Sequence, residues 1–348
     1  MIKKIYKIFS NDIGIDLGTA NTLVYLRGAG VVINEPSVVA VNTKTGRVVA
    51  VGELAKQMLG RTPAHIRAVR PLVDGVISDF EVTEEMLSYF IGKANDLTKK
   101  TIRPRVVVGV PSGITNVEIR AVYDATKNAG AREVHIVEEP MAAAIGIDLP
   151  VHDPEGSMII DIGGGTTDIA VIALSGIVRA KSLKVAGDKL NQDIISYVRD
   201  EFKLLIGEKT AESIKMFIGT IYDSGEEEAV VRGRDLVTGL PKQVILTSKD
   251  IKEAIFGSIL IILEASKEVL ETTPPEILSD IMQTGIVITG GGSMIKGLAE
   301  LFESHLKIPV RVAENPLFSV VAGTEKILEN IEKYHEVLLR HHDDLPPR

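Results

Sequence analysis

Ile13-Gly14-Ile15-Asp16-Leu17-Gly18-Thr19-Ala20-Asn21-Thr22-Leu23-Val24 has a counterpart far along the same chain, Ile159-Ile160-Asp161-Ile162-Gly163-Gly164-Gly165-Thr166-Thr167-Asp168-Ile169-Ala170-Val171. Each reads as a β-hairpin in which an apolar strand delivers an Asp to a turn of small, hydroxyl or amide residues, and a second apolar strand leads away. A turn of that composition leaves backbone N–H groups bare, an arrangement that receives anions. Two such turns facing each other would clamp a polyphosphate and its metal ion.

The likeness extends outward from the hairpins. Arg105-Val106-Val107-Val108-Gly109-Val110-Pro111-Ser112-Gly113 and Gly285-Ile286-Val287-Ile288-Thr289-Gly290-Gly291-Gly292-Ser293 are buried-type strands that stop at a loop of small residues. His135 to Gly146 and Val310 to Gly323 are each a short strand ending in Glu-x-Pro (Glu138-Glu139-Pro140, Glu314-Asn315-Pro316), then a helix of small and aliphatic residues. The same order in both halves predicts two related α/β lobes with a cleft between them. The first lobe spans about 11–150 with a small subdomain inserted at about 35–80. The second spans about 151–330 with its insertion at about 188–250, which makes four subdomains. Residues 331–348 are expected to finish a first-lobe helix and continue as a flexible tail. Helices are expected over Gly52–Gly60, Asp188–Leu205, Thr210–Ile218 and Thr247–Thr272, the last broken by Pro274-Pro275. Ser224-Gly225-Glu226-Glu227-Glu228 reads as a solvated hairpin turn.

Composition narrows the function. A net charge of −8 argues against a nucleic-acid partner, because phosphate backbones are held by basic faces. With no Cys, the chain has no disulfide, thiolate metal site or Cys nucleophile. Its longest apolar run, AIFGSILIIL from Ala254 to Leu263, falls short of the roughly 20 residues that cross a bilayer and reads as a buried helix. The N-terminus MIKKIYKIFS lacks a signal-peptide core, since Lys7 interrupts it, and this predicts a cytoplasmic protein. Ile2, Ile5, Tyr6 and Phe9 recur there at helical spacing while Lys3, Lys4 and Lys7 can face anionic headgroups, so residues 1–10 are read as an amphipathic membrane-surface segment.

Asp16 and Asp161 end their strands, where a carboxylate can hold Mg2+ through water while the metal bridges phosphate oxygens; alone, either could be a turn former. Gly163-Gly164-Gly165 and Gly290-Gly291-Gly292 imply close backbone approach to a bulky ligand, with Gly18-Thr19-Ala20-Asn21 as a third small loop. The sequence has no GxxxxGK[ST] and no GxGxxG in a βαβ unit, which sets aside P-loop and dinucleotide folds. Glu139 stands either as a carboxylate that orients or deprotonates water or as a solvated residue at a helix N-terminus. Glu212 and Lys215, one turn apart, read by themselves as an ordinary surface pair. Asp168 reads as a metal-side carboxylate or a turn cap.

With these motifs in hand, DLGTANT (16–22), EEPMAAAIG (138–146), DIGGGTTD (161–168), AGD (186–188), RDLVTGLPK (234–242) and TGGGSMIKGL (289–298) resemble the bacterial actin MreB family. The motifs run in family order from about Asn11 to Asn330, and RPLVDGVISDF (70–80) distinguishes this family within its superfamily of actin, heat-shock chaperone ATPases and sugar kinases. The resemblance implies a duplicated actin-like ATPase fold, with Mg2+ and ATP in the cleft. By motif, Thr19, Ala20, Asn21 and Gly163 to Thr166 would contact phosphates. Glu212, Lys215 and Gly290, Gly291, Gly292 and Ser293 would meet ribose and adenine. Glu139, with Glu138 as the second choice, would position the hydrolytic water with help from Thr166, beside the metal-holding Asp161. It further implies ATP-dependent filaments on the inner membrane face that guide cell-wall synthesis and rod shape. The expected partners are other copies of the chain, anionic lipid and the wall-elongation machinery.

Two departures from the wider pattern stand out. Eukaryotic actin has a Lys in its first phosphate loop, where this chain has Leu23 and no basic residue, so charge neutralisation falls to metal and backbone amides. The Leu97 to Ile102 loop is less apolar than the membrane-insertion loop of some family members. A small-molecule kinase, a chaperone ATPase and a plasmid-segregation or division actin are the alternatives on the same fold. The kinase would need an Asp base in a second polar pocket, and 348 residues leave no room for a chaperone's separate substrate domain.

Overall fold

Both hairpins form in the computed structural model, which describes residues 10–98, 102–222 and 227–339. The proposed membrane segment with Ile2, Ile5, Tyr6 and Phe9 lies outside the described residues, as do 99–101 of the Leu97 to Ile102 loop, 223–226 of the acid run, and 340–348. Ser10–Leu17 pairs antiparallel with Asn21–Leu26, and Ser157–Ile162 with Thr167–Ala173. Each hairpin sits at the centre of a mixed sheet. In the first sheet the spatial order is Leu338–Leu339, Glu133–Glu138, Ile102–Val110, Ser10–Leu17, Asn21–Leu26, Gly30–Pro36. In the second it is Val310–Val312, Ile286–Thr289, Ser157–Ile162, Thr167–Ala173, Gly176–Leu183.

Apart from the Leu338–Leu339 edge, the two orders coincide strand for strand, with the same parallel and antiparallel senses. Every residue of Ser157–Ile162 and Thr167–Ala173 is buried, as expected of strands covered on both faces by helices. The β-branched residues that dominate these strands suit a pleated, enclosed surface. Register then places the cleft residues. Asp16 lies opposite Leu23 and Gly109, and Asp161 lies opposite Asp168 and Thr289.

Separate cores fill the first and second lobes, and a third lies between them, joining Leu23, Val107 and Val137 to Ile159, Ala170 and Ile172. Its centre is a helix pair, Glu139–Gly146 against Ser319–Glu329. A Cβ on Gly146 would strike the Ser319 carbonyl, and one on Gly323 would strike that of Ala142, so the two backbones meet directly. Lys326 Nζ donates to the carbonyls of Ile145 (3.1 Å) and Gly146 (2.9 Å), placing a cation at the first helix's C-terminus. Leu338 and Leu339 then pair with Val137 and Ile136, returning the chain to the first sheet.

In the first lobe's insertion, strands Val39–Asn42, Val48–Val51 and Ile66–Val69 pack with helix Glu53–Met58 over Val38, Ala40 and Ala55. The second insertion comprises helices Gly187–Phe202 and Glu208–Ile218 and the sheet Leu204–Leu205, Glu228–Asp235, Pro241–Thr247. The helix expected to reach Leu205 stops at Phe202, because Lys203 takes a left-handed conformation (φ 53°) and Leu204 and Leu205 turn into a strand. Ala254 to Leu263 lies within helix Ser248–Glu271, with Ile255, Ile259 and Ile262 fully buried. Pro275 opens the next helix at a position where no backbone donor is needed. Among the described residues no helix is long and apolar enough to cross a membrane.

Candidate functional site

Between the lobes lies a cavity of about 420 Å³. One wall is the first hairpin turn, with Asp16, Thr19, Ala20 and Asn21; the other is the second turn, with Asp161, Gly163, Gly164, Gly165 and Thr166. Glu139 enters from the head of the inter-lobe helix, Gly290, Gly291 and Gly292 from the loop after Ile286–Thr289, and Glu212 and Lys215 from the helix Glu208–Ile218. Of the residues singled out from sequence for the ligand, Ser293, Glu138 and Asp168 do not line the cavity; Ser293 stands directly behind the glycine loop. It is 2% exposed, and its Oγ donates to the Gly290 carbonyl at 2.7 Å, bracing the glycine loop from behind.

The glycines have a more specific reason than ligand approach. A Cβ on Gly164 would collide with Ala20, and one on Gly165 with Thr19, so the two turns touch each other. Gly290 adopts φ +78°, and a Cβ there would meet Asp161 Oδ1 and the Ile162 carbonyl; one on Gly292 would overlap the Ile162 side chain. Thr19 Oγ1 in turn accepts from the Gly75 N–H at 3.0 Å, tying the first turn to its inserted subdomain.

Asp16, Glu139, Asp161 and Asp168 converge here. Burial pushes the Asp16 carboxyl up to about 7. Burial first, then the neighbouring carboxylates, raise Glu139 and Asp161 well above the ordinary range. Asp168 is raised to about 6 by burial, offset by bonds from the Ser112 amide and the Ser182 and Thr166 hydroxyls. Among the described residues there is no cluster of three or more carboxylate, His or Cys groups that could cage a metal. Asp16 and Asp161, one on each wall, are a donor set that fits Mg2+, which keeps several waters and takes one or two carboxylates plus phosphate oxygens.

At the far end, Lys215 Nζ donates to the Gly187 carbonyl at 2.8 Å, and burial pushes its ammonium pKa down. Met216, Met294, Lys296 and Asn191 also line this end, and nothing in their spacing had marked them. Lys296 pairs with Glu227 (2.7 Å), which gives one residue of the acid run a defined contact. Glu212 is not a simple surface residue: its Oε2 pairs with Lys56 Nζ across the cleft mouth at 3.0 Å. Arg70 reaches Asp188 (3.0 Å) and Glu208 (2.6 Å), and Lys184 faces Asp74 (3.6 Å), so ion pairs join the inserted subdomain to the second lobe.

A cleft built in this way has known relatives. The MreB/Mbl protein family model matches residues 10–336. The cell shape-determining protein Mbl of Bacillus subtilis is 50% identical over 94% of this chain and 98% of its own length. The cell shape-determining protein MreB of Escherichia coli is 50% identical over 96% of this chain and 98% of its own length. Among solved structures, MreB5 of Spiroplasma citri bound to ADP superposes with TM-score 0.88 at 40% identity, covering 94% of this chain and 98% of that one. A MamK double helical filament superposes with TM-score 0.79 at 24% identity over 92% and 99%, a likeness of fold. The two related lobes expected from the hairpins, and the duplicated actin-like fold implied by the resemblance, are the fold observed, and with half-identical relatives over nearly its whole length the chain belongs to the MreB/Mbl family.

Proposed function

We propose that this protein is an ATP-driven, filament-forming bacterial actin that assembles on the inner membrane face and directs cell-wall synthesis and rod shape, with slow ATP hydrolysis as its timer. The observation that carries this is the meeting of two Asp-bearing turns, one from each lobe, around a single cavity. S. citri MreB5 has been solved with ADP and with AMPPNP, which supports a nucleotide as the ligand.

In this reading the bare amides of Thr19 to Asn21 and Gly163 to Thr166 hold the phosphates, while Glu212, Lys215 and the 290–292 loop hold the nucleoside. Asp16 and Asp161 would hold Mg2+, which would supply charge neutralisation at the phosphates. Glu139 accepts a hydrogen bond from the attacking water and takes its proton, with Thr166 orienting that water. The water oxygen forms the new bond to the γ-phosphorus, and the bond to the bridging oxygen breaks with its electron pair leaving on ADP. A carboxyl raised by burial is suited to work as a base near neutral pH.

Sedimentation and electron microscopy of the full chain with ATP, ADP or no nucleotide test the reading. Polymer that forms with ATP supports it. Absence of polymer, together with transfer of the γ-phosphoryl group to a small hydroxylated acceptor, would replace it with the kinase. Deleting residues 1–9 is expected to leave ATP binding and assembly intact and to abolish co-flotation with anionic liposomes; retained flotation removes that segment as the membrane contact.

A further inference from the structure

A second cavity, of about 480 Å³, lies against the helix Glu208–Ile218 that sends Glu212 and Lys215 into the cleft. Thr210, Ser213, Ile214 and Phe217 of that helix form one wall, and Glu228 to Arg232 of the strand Glu228–Asp235 form the other. Side chains alternate between the two faces of a strand, so five consecutive residues reach one groove only along the strand's edge. Leu204 and Leu205 pair with Asp235 and Arg234, but the chain then leaves this lane at Gly207 to begin the helix. Among the described residues no strand lies beside Glu228 to Arg232 on that side.

Register shows which backbone groups the empty lane exposes. The Ser248 N–H donates to the Glu227 carbonyl (2.9 Å) and the Asp235 N–H to the Leu240 carbonyl (2.8 Å), and the antiparallel register between these two pairs is unbroken. The odd-numbered residues therefore bond to Pro241–Thr247, while Glu228, Val230 and Arg232 turn their N–H and C=O groups to the empty lane. Open edges are ordinarily blunted by Lys, Pro or a bulge, and Glu228 to Arg232 has none of these. Phe217 is 68% and Val230 58% exposed, so the groove's apolar walls are uncovered, and Glu228 and Arg232 put opposite charges at its two ends.

We propose that this groove is a docking site for an extended segment of a partner protein, which adds as an antiparallel strand in the lane that Leu204–Leu205 begins. Main-chain bonds to Glu228, Val230 and Arg232 supply the affinity, and the two end charges set the direction. Read from its N-terminus, the segment has an acidic residue opposite Arg232, an apolar one opposite Val231, a β-branched one opposite Val230, an apolar one opposite Ala229 and a basic one opposite Glu228. The two apolar side chains share a face with Val231, which is 2% exposed and in one core with Ile214, so they are the ones that meet the helix.

The probe is the capped, fluorescein-labelled peptide Ser-Glu-Val-Thr-Val-Lys-Ser, added to the nucleotide-free full chain. A saturable rise in anisotropy is expected, with slowed hydrogen exchange at the Val230 and Arg232 amides. N-methylating the central Thr, whose N–H must meet the Val230 carbonyl, is expected to weaken binding about 10-fold or more. N-methylating either Val, whose N–H points away from the strand, should leave affinity near that of the parent peptide. Glu228→Lys is expected to weaken the parent peptide about 3-fold or more and to restore affinity when the peptide carries Glu in place of its Lys. No binding by the parent peptide, or equal losses from central and flanking N-methyl groups, would overturn the proposal. So would protection of the same amides that rises with protein concentration in the absence of peptide, which would assign the edge to a second copy of this chain.

Discussion

Across the hairpin from its turn carboxylate the first lobe has Leu23, and the second has Asp168. On the neighbouring parallel strand the pair is Gly109 against Thr289, and at the head of the inter-lobe helices it is Glu139 against Asn315. The strand frames coincide, so in the proposed reading these differences are what give a duplicated fold one reaction centre. A Cβ on Gly109 would crowd Val320 at 3.1 Å and reach the Glu139 stem at 3.4 Å, so glycine there lies directly beside Glu139. In the second lobe the matching space is occupied: Thr289 Oγ1 bonds to Ser319 Oγ (2.6 Å) and the Pro316 carbonyl (3.1 Å), while Glu314 and Asn315 are exposed. In the proposed reading the first lobe supplies the carboxylate that meets water, whereas the second holds the buried Asp168, whose Oδ1 accepts from the Ser112 N–H of the first lobe.

The comparison breaks most readily at Glu139. Glu139→Ala is expected to slow phosphate release by about 10²-fold or more while nucleotide still binds. Asn315→Ala, at the equivalent place in the other lobe, should stay near the parental rate. Equal losses in the two variants would mean that the lobes share the chemistry evenly.

Metal holding is the property in which the lobes are expected to agree. Asp16→Ala and Asp161→Ala should each weaken Mg-nucleotide binding, by about 10- to 100-fold if both carboxylates act through metal-bound water. Calorimetry with and without Mg2+ reads this directly. A loss confined to one variant would assign the ion to that lobe alone.

The same carboxylates give the nucleotide-free protein a pH dependence of definite sign. Burial raises the folded Asp16 carboxyl to about 7 from an ordinary 3.8, so the folded state binds its proton more tightly than the unfolded chain does. Stability from this source is complete below about 4 and is lost as pH rises through about 7. The thermal midpoint at pH 6 should therefore exceed that at pH 8 by more in the parent than in Asp16→Asn. Mg-nucleotide, which favours the ionised carboxylate, should release protons on binding in this window. Equal pH slopes in parent and variant would show that Asp16 is ionised throughout.

How much of this was legible in the sequence follows from the range of each interaction. Hairpin turns, glycine loops and the Glu-x-Pro helix starts are local patterns, and their repetition is enough to predict two lobes with the turns facing one cleft, whereas Glu212 and Lys215 are assigned to it only through the family resemblance. The role of Gly164 and Gly165 was visible only in outline, because what they approach, Ala20 and Thr19, is a turn from the other half of the chain. Ser293 was read as a contact by motif, although its hydroxyl turns back on Gly290. The end of helix Gly187–Phe202 was missed because a left-handed Lys203 carries no composition signal of the kind glycine would give. Arg70 and Asp188 are 118 residues apart, and no period or spacing connects them.

Those cross-cleft ion pairs carry the smallest expected effect. Arg70 to Asp188 and Glu208, Lys56 to Glu212 and Lys184 to Asp74 all join the first lobe's insertion to the 184–212 stretch of the second, so opening the mouth must separate every pair. Each is partly exposed, with Arg70 and Asp188 about a quarter so, which keeps single contributions near those of surface pairs. Arg70→Ala, which removes two of them, is expected to speed release of a fluorescent nucleotide by about 2- to 5-fold without changing hydrolysis. Raising salt should speed release in the parent and do so less in the variant, since screening acts on charges that the variant has already lost. Arg120→Ala serves as the control, because Arg120 pairs with Asp124 inside one helix and opening leaves that pair intact. Release that is indifferent to both Arg70→Ala and salt would mean that the lobes are held shut by the helix pair and the touching turns alone.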